Sequence, residues 1–555
     1  MRRWLNNFVL QELKLIDPSM GSGHVLVYAF DVFMQLYEAE GESPRNATEF
    51  ILQKNLYGLD IDKRAFQLAY FALMMKGRQS NRRILTKNIE LNIYAISDNF
   101  GISEAEIQLL HFTFPDNEKG QEDLLTLAEG FKNARDLGSL IEFNEIDFEN
   151  LKVGLEVDTI SFVDLAIHKM VSVGEVLQQK YDIGVTNPPY MGSAGMNKKL
   201  STFVKKYYPD SKSDLFSVFI ERLHSMIQPT GYTALITQHA WMFLSSFEKL
   251  RVKINQQTII NMIHLGTRAF EEIGGEVVQT TAFVLSPNKK DNHLGNYLRL
   301  VDFPNYELKE LKVLEAINDK KVDYFYQTLQ DNYSKIPGMP ISYWVSENIL
   351  KIFELEILYD FSISPSQNVT GNNGKFLRYF WEIDDTFVTN KNGWIFYAKG
   401  GGYRKWWGNL IDVINWKPEA RKIYQFGDGS RASQIINPNY WYRKGITWGL
   451  ITSSTPSFRV MPEGATFDKG GSTIIIEDET IYYYSIGLLN SKIYEELVRI
   501  LNPTLNFQVK DIRALPLNLK KTNEILPVVK QNIFISKKEW DSFETSWEFN
   551  NHPLI

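Results

Sequence analysis

The sequence predicts an α/β fold, a mostly parallel sheet with helices on both faces, followed by a second region of mixed α+β character. Three observations carry this. Short apolar runs alternate with helical periodicity through the first half. Residues suited to chemistry recur directly after those runs, where ligands sit in parallel sheets. From about residue 340 Trp, Tyr, Gly and Asn become frequent and the alternation fades.

The elements follow in order. Leu13 to Ile16 is an apolar run stopped by Asp17-Pro18, and a Gly-rich turn, Met20 to Gly23, leads into a helical pattern from His24 to about Glu40. Leu56 to Leu59 reads as the second strand, ended by Asp60, with a helix from about Lys63 to Lys76. Later apolar runs end at Val185, Ile236, Leu265 and Leu285. Residues 88–175 break the pattern and read as an insertion. The expected boundaries are 1–300 for the α/β domain, 301–344 for a linker, 345–520 for the second domain and 521–555 for a C-terminal segment.

Composition narrows the class. The chain has 555 residues, 44% hydrophobic and 23% charged, which suits folded domains. A net charge of −6 argues against a blanket polyanion binder, but clustered cations still allow nucleic-acid contact. There are no cysteines, so thiolate metal sites and disulfides are excluded and a cytoplasmic location is expected. No metal is expected. The first residues lack the apolar core of a signal peptide, and no apolar run reaches the roughly 18 residues of a membrane span.

The most informative string is Asn187-Pro188-Pro189-Tyr190, directly after the apolar strand 181–186. An aromatic amine is a poor nucleophile because its lone pair is delocalised into the ring. Two acceptors that take both N–H bonds hold the nitrogen closer to tetrahedral and receive the charge that develops on attack. The Asn187 side-chain oxygen and the Pro188 carbonyl form such a pair. Pro188 and Pro189 stiffen the turn, and Tyr190 offers a face for stacking. An adenine inside a duplex must leave the stack to reach this site.

The strand–Gly-x-Gly–helix passage Asp17, Pro18, Gly21, Gly23 lets a backbone approach a cofactor closely, and its spacing fits a small nucleoside better than a dinucleotide or triphosphate. Asp60, ending the second strand, suits ribose hydroxyls, whereas Asp62 reads as a helix cap. For the cofactor's base, Asn133 is one candidate and Asp147-Phe148 its rival.

These motifs, in this order, resemble the gamma-type N6-adenine DNA methyltransferases, and among them the PglX family of bacterial phage-exclusion (BREX) systems. The supporting strings span residues 17–33, 55–76, 187–193, 445–472 and 539–554. The resemblance implies a Rossmann-like class I methyltransferase domain with a mixed, mostly parallel seven-stranded sheet, and a target-recognition domain after it. It implies S-adenosylmethionine held at Asp17, Gly21, Gly23 and Asp60, catalysis at Asn187, Pro188 and Tyr190, and Phe270 beside a flipped base. Double-stranded DNA is the implied partner. Lys198 and Lys199, with Lys205 and Lys206, fit a mobile loop touching phosphates. Arg404, Lys405, Arg443 and Lys444 stand among aromatics and fit DNA contacts in the second domain. Asn506 to Ile512 resembles the end of a target-recognition domain.

Only sixteen residues precede Asp17, where this family carries a further cofactor-binding segment. A truncated or split member is therefore expected, with a separate chain or other phage-exclusion proteins as partners. Two alternatives stay open: the same chemistry on another amine or amide, and a catalytically silent DNA-binding or assembly subunit.

Overall fold

The computed structural model describes all residues except 1–8, 103–105, 107–116, 156–161, 271–277, 389–391, 427–432, 453–454, 503–505, 520–521, 553 and 555. The first part of the N-terminus read above for a leader signal lies outside the described residues, as does the segment following Phe270. The chain forms two compact units, Met1–Asp331 and Asn332–Ile555.

In the first unit, β1 (Leu15–Asp17), β2 (Leu56–Asp60), β3 (Asn92–Ala95), β4 (Tyr181–Thr186), β5 (Ile227–Gln238), β6 (Thr258–Gly266), β7 (Thr280–Ser286), β8 (Leu294–Arg299) and β9 (Phe325–Leu329) make one sheet. Its order is β3-β2-β1-β4-β5-β7-β6-β8-β9. Neighbours run parallel from β3 to β5 and between β6 and β8, while β7 and β9 run antiparallel to their neighbours.

The sheet therefore has nine strands where seven were expected. The extra two show little apolar patterning, because they sit at an edge: β9 has no buried residue and β8 buries Gly295, Tyr297 and Leu298. Residues 301–344, expected as a linker, contain a helix at Tyr306–Asn318 and β9 itself. Residues 88–175, expected as an insertion, contain β3, which pairs with β2 through Gly58↔Ile93.

Two helices cover the first strands. α1 (His24–Ala39) buries Leu26, Phe30, Phe33 and Tyr37, and α2 (Lys63–Ser80) buries Ala69 and Leu73, each at helical spacing. Asp62 caps α2 through the Arg64 N–H, 2.8 Å away. Chain order reverses between β1 and β4, which opens a crevice at their carboxyl ends.

The second unit holds a four-stranded sheet, β10 (Leu377–Tyr379), β11 (Trp394–Ala398), β12 (Asp412–Asn415) and β15 (Thr466–Phe467), and a three-stranded one, β13 (Gly445–Thr447), β14 (Arg459–Met461) and β16 (Thr473–Ile474). Many of its aromatics are core. Trp416 and Trp448 are fully buried, and the Trp448 indole donates to the Phe507 carbonyl at 2.9 Å.

Candidate active site

Three strand ends meet at the crevice. Asp17 ends β1 and is 1% exposed. Its carboxylate accepts from the Ser19 N–H at 3.1 Å and from the Thr186 hydroxyl, at the end of β4, at 2.7 Å. The Ser19 and Thr186 hydroxyls are 2.6 Å apart. Burial pushes the Asp17 carboxyl up to about 7, against the lowering effect of these two donors, and the nearby Asp60 charge adds to the rise.

That rise has a measurable consequence. The folded protein binds the Asp17 proton more tightly than the unfolded chain does. The resulting stability is fully present below the ordinary value of 3.8 and is lost as pH rises to about 7. Asp17→Asn should therefore gain stability relative to wild type across that window, by up to about 1.4 kcal/mol per pH unit. Denaturant unfolding of both proteins at a series of pH values checks it, and parallel curves would contradict the assignment.

The Gly-rich turn is tied to β2. The Met20 N–H donates to the Leu59 carbonyl at 3.0 Å. Gly21, at φ +53°, donates to Asp60 Oδ2 at 2.9 Å, and the Asp62 N–H donates to Oδ1 at 2.8 Å. Gly23 has φ +87°, and a Cβ there would stand 2.9 Å from that of Ala69. Helix α1 can approach α2 only with glycine at this point.

Asn187 is exposed and Pro188 buried, while Tyr190 is half-buried. The Tyr190 hydroxyl lies 3.3 Å from both Asn187 Oδ1 and the Ile236 carbonyl of β5. Its ring meets Phe216 edge-on at 6.0 Å. The turn is clamped from below by Asp214, which sequence reading missed. Asp214 accepts from the Met191 N–H at 3.0 Å and caps α4 (Leu215–Met226) through the Phe216 N–H at 3.3 Å. An Asp directly before the apolar run 215–220 was the available signal. Asp214→Ala should cost about 1–2 kcal/mol of stability and lower turnover about tenfold, since a small shift of the Asn187 oxygen weakens transition-state contact. Thermal unfolding and turnover at saturating cofactor check both effects.

Beside Asn187 lies a cavity of about 270 Å³, lined by Pro18, Ser19, Asp60, Ile61, Asp136 to Leu140, Pro189, Leu200, Leu215 and Phe219. Its far wall comes from the segment after β3. Ser139 donates to the Pro18 carbonyl at 2.6 Å, and the buried Arg222 guanidinium holds the Ser139, Ile141 and Leu177 carbonyls at 2.7, 2.9 and 3.2 Å. Asn133, expected at the cofactor's base, does not line this cavity. Its oxygen accepts from Lys199 at 2.8 Å, and Asp136, three residues on, lines the wall instead. Asp147 and Phe148 are likewise absent from the lining.

The segment after Tyr190, expected as a mobile loop, contains α3 (Lys198–Tyr207), capped by Asn197. Lys199 is engaged by Asn133 and, at 3.5 Å, by Asp136, whereas Lys198 is exposed. In the second unit each expected DNA-contacting cation has an internal partner. Arg404 pairs with Glu539 at 2.5 Å and Arg443 with Glu477 at 2.6 Å. Lys405 donates to the Asn490 carbonyl at 2.7 Å, and Lys444 to the Tyr483 hydroxyl at 3.0 Å. Phe270 is half-buried, just past β6. Among the described residues no group of three or more His, Asp or Glu is placed to hold a metal ion, and no helix is long and apolar enough to cross a membrane.

The residues present fit S-adenosylmethionine. A left-handed glycine turn, a carboxylate with spare lone pairs and the apolar walls of Ile61, Leu137 and Phe219 suit a backbone contact, a ribose and a base.

The Eco57I restriction-modification methylase family matches residues 54–270. The chain is 40% identical to the adenine-specific methyltransferase PglX of Lacticaseibacillus casei (strain Zhang), over 98% of its own length and 47% of that protein's. It is 37% identical to the adenine-specific methyltransferase BrxX of Escherichia coli O9:H4 (strain HS), with the same coverage. Among solved structures it resembles a nuclease-deletion mutant of the Type ISP restriction-modification enzyme LlaGI in complex with a DNA substrate mimic, with TM-score 0.56, 11% identity, and coverage of 96% of this chain and 45% of that one. It also resembles the Type IIL enzyme MmeI in complex with DNA, with TM-score 0.53, 11% identity, and coverage of 97% and 67%. At that identity these structures show the shared fold. The chain spans about half the length of the curated relatives it matches, and over the part it spans it is similar to the adenine-specific methyltransferases PglX and BrxX.

Proposed function

We propose that this chain carries the catalytic part of a site-specific DNA methyltransferase that methylates N6 of adenine in phage defence. The observation that carries the reading is the exposed Asn187, set by a clamped Asn-Pro-Pro-Tyr turn at the rim of a nucleoside-sized cavity. S-adenosylmethionine, when bound, supplies an electrophilic methyl group. Asp60 holds its ribose hydroxyls, the turn at Gly21 and Gly23 lies against it, and Ile61 and Phe219 flank its base. Asn187 Oδ1 and the Pro188 carbonyl accept the two N6 hydrogens of an extruded adenine and stabilise the charge that develops there. Tyr190 stacks on the base, with Phe270 on its other side. The second unit serves target recognition on duplex DNA, the protein works in the cytoplasm, and further phage-exclusion proteins are its partners. Because Arg404, Lys405, Arg443 and Lys444 are internally paired, phosphate contact by them requires exchange of partners.

The test is incubation of the purified chain with methyl-labelled S-adenosylmethionine and unmethylated bacterial DNA. Label in N6-methyladenine is expected. Label in protein, or cofactor binding with no transfer to any DNA, overturns the reading.

A further inference from the structure

Two histidines meet on the other side of Asn187 from the cofactor cavity. His239 is the first residue after β5, and His264 lies on β6. They approach across β7, where Gln238 pairs with Thr280 and His264 with Thr281. His239 Nδ1 and His264 Nε2 are 2.8 Å apart. His264 is 5% exposed and His239 half-buried. Phe243 packs edge-on to His239 at 5.6 Å. The contact with His264 uses Nδ1 of His239, so Nε2 is the ring nitrogen left for a further partner.

The position matters because of what stands beside it. Thr186 pairs with Leu235, so Asn187 emerges next to Ile236, whose carbonyl holds the Tyr190 hydroxyl. His239 is three residues further along the same edge. The cavity assigned to the methyl donor lies toward β1 and β2. An attacking amine comes from the side of the transferring carbon opposite its leaving group, so with the donor in that cavity the target nucleotide would lie toward β5. Once Asn187 and Pro188 take the N6 hydrogens, the remaining polar atoms of an adenine ring are acceptors, as are its phosphates. A side chain that grips this nucleotide must donate.

We propose that His239, fixed by His264, contacts the extruded target nucleotide and donates an Nε2–H hydrogen bond to one of its acceptors. This rests on the reading above and adds a substrate contact to it. In the tautomer proposed, His264 Nε2–H donates to His239 Nδ1 and the proton of His239 sits on Nε2. The surroundings keep both rings neutral. Burial holds His239 down at about 4 and His264 well below its ordinary value, and His239, Arg299 and Lys309 near His264 act on it in the same direction. A neutral donor recognises a base without the indiscriminate pull of a cation on every phosphate. His264 is a positioning residue.

The experiment uses the whole chain and DNA bearing its own recognised sequence, mapped from the adenines that the wild type methylates. Transfer by the wild type is established first; its absence would overturn the methyltransferase reading and not this contact alone. His239→Leu should then lower kcat/KM for DNA by about 10- to 100-fold, with the Kd for S-adenosylmethionine changed less than twofold. His239→Gln, whose amide N–H reaches the Nε2 position, should stay within about fivefold of wild type. His264→Leu should lower kcat/KM for DNA but not add to His239→Leu. Target adenines with a ring nitrogen replaced by carbon, or with a neighbouring phosphate made a methylphosphonate, identify the acceptor. The substitution that removes it should cost the wild type the same factor and the His239→Leu variant nothing. If His239→Leu matches wild type, or no substitution is non-additive with it, the proposal is wrong.

Discussion

Asn187→Ala is expected to lower methyl transfer to DNA by at least about 10²–10³-fold while leaving the Kd for S-adenosylmethionine within about threefold. The size follows from the role. The Asn187 oxygen meets a full positive charge only as the amine attacks, so its loss falls on kcat more than on binding. The structure supports a separable effect. Asn187 is exposed at the cavity rim, and its side-chain hydrogen bond from the Tyr190 hydroxyl is long at 3.3 Å. Tyr190 keeps the Ile236 carbonyl as a second acceptor, so the turn should survive the substitution. Single-turnover transfer of labelled methyl, beside calorimetric titration of cofactor, reads the two quantities apart. A variant with equal losses in both would show that Asn187 shapes the cofactor site and does not act on the amine.

Much of the site was legible because its residues sit at strand ends. Asp17, Asp60 and Asn187 each follow an apolar run, and a parallel sheet brings such ends together whatever separates them in sequence. The sheet edge was less legible. β8 and β9 carry little of the alternation that marks a half-buried strand, since few of their residues face the core. The far wall of the cavity was hidden for another reason. Ser139 and Leu140 have no motif of their own; they are placed by Arg222, more than eighty residues away, whose guanidinium fans out to three carbonyls. Likewise, that Asp136 lines the cavity and neither Asn133 nor Asp147 does turns on the phase of short helical segments, which composition does not report. In the second unit, aromatics and cations side by side suited either DNA or a core. Burial of Trp416 and Trp448 and the internal pairing of Arg404 and Arg443 show how much of that pattern goes into folding.

Asp60→Ala should weaken S-adenosylmethionine binding by about 100-fold or more. A carboxylate offers roughly four lone-pair directions, and two backbone donors, Gly21 and Asp62, use one on each oxygen. The remaining directions are free for a pair of ribose hydroxyls. Hydrogen bonds to a charged acceptor contribute about 1.5–3 kcal/mol each, and about 1.4 kcal/mol is a factor of ten. The substitution also strands two N–H groups that shape the Gly-rich turn, so the backbone surface offered to the cofactor loosens as well. Asp60→Asn tests the division between these effects. One oxygen survives, but its NH₂ must face a backbone N–H on one side, so affinity should fall between wild type and Asp60→Ala. Calorimetry with S-adenosylmethionine and with its demethylated product should show equal losses for both ligands, because the ribose is common to them. A loss confined to S-adenosylmethionine would place Asp60 at the sulfonium instead, and unchanged affinity would leave it only the task of bracing the turn.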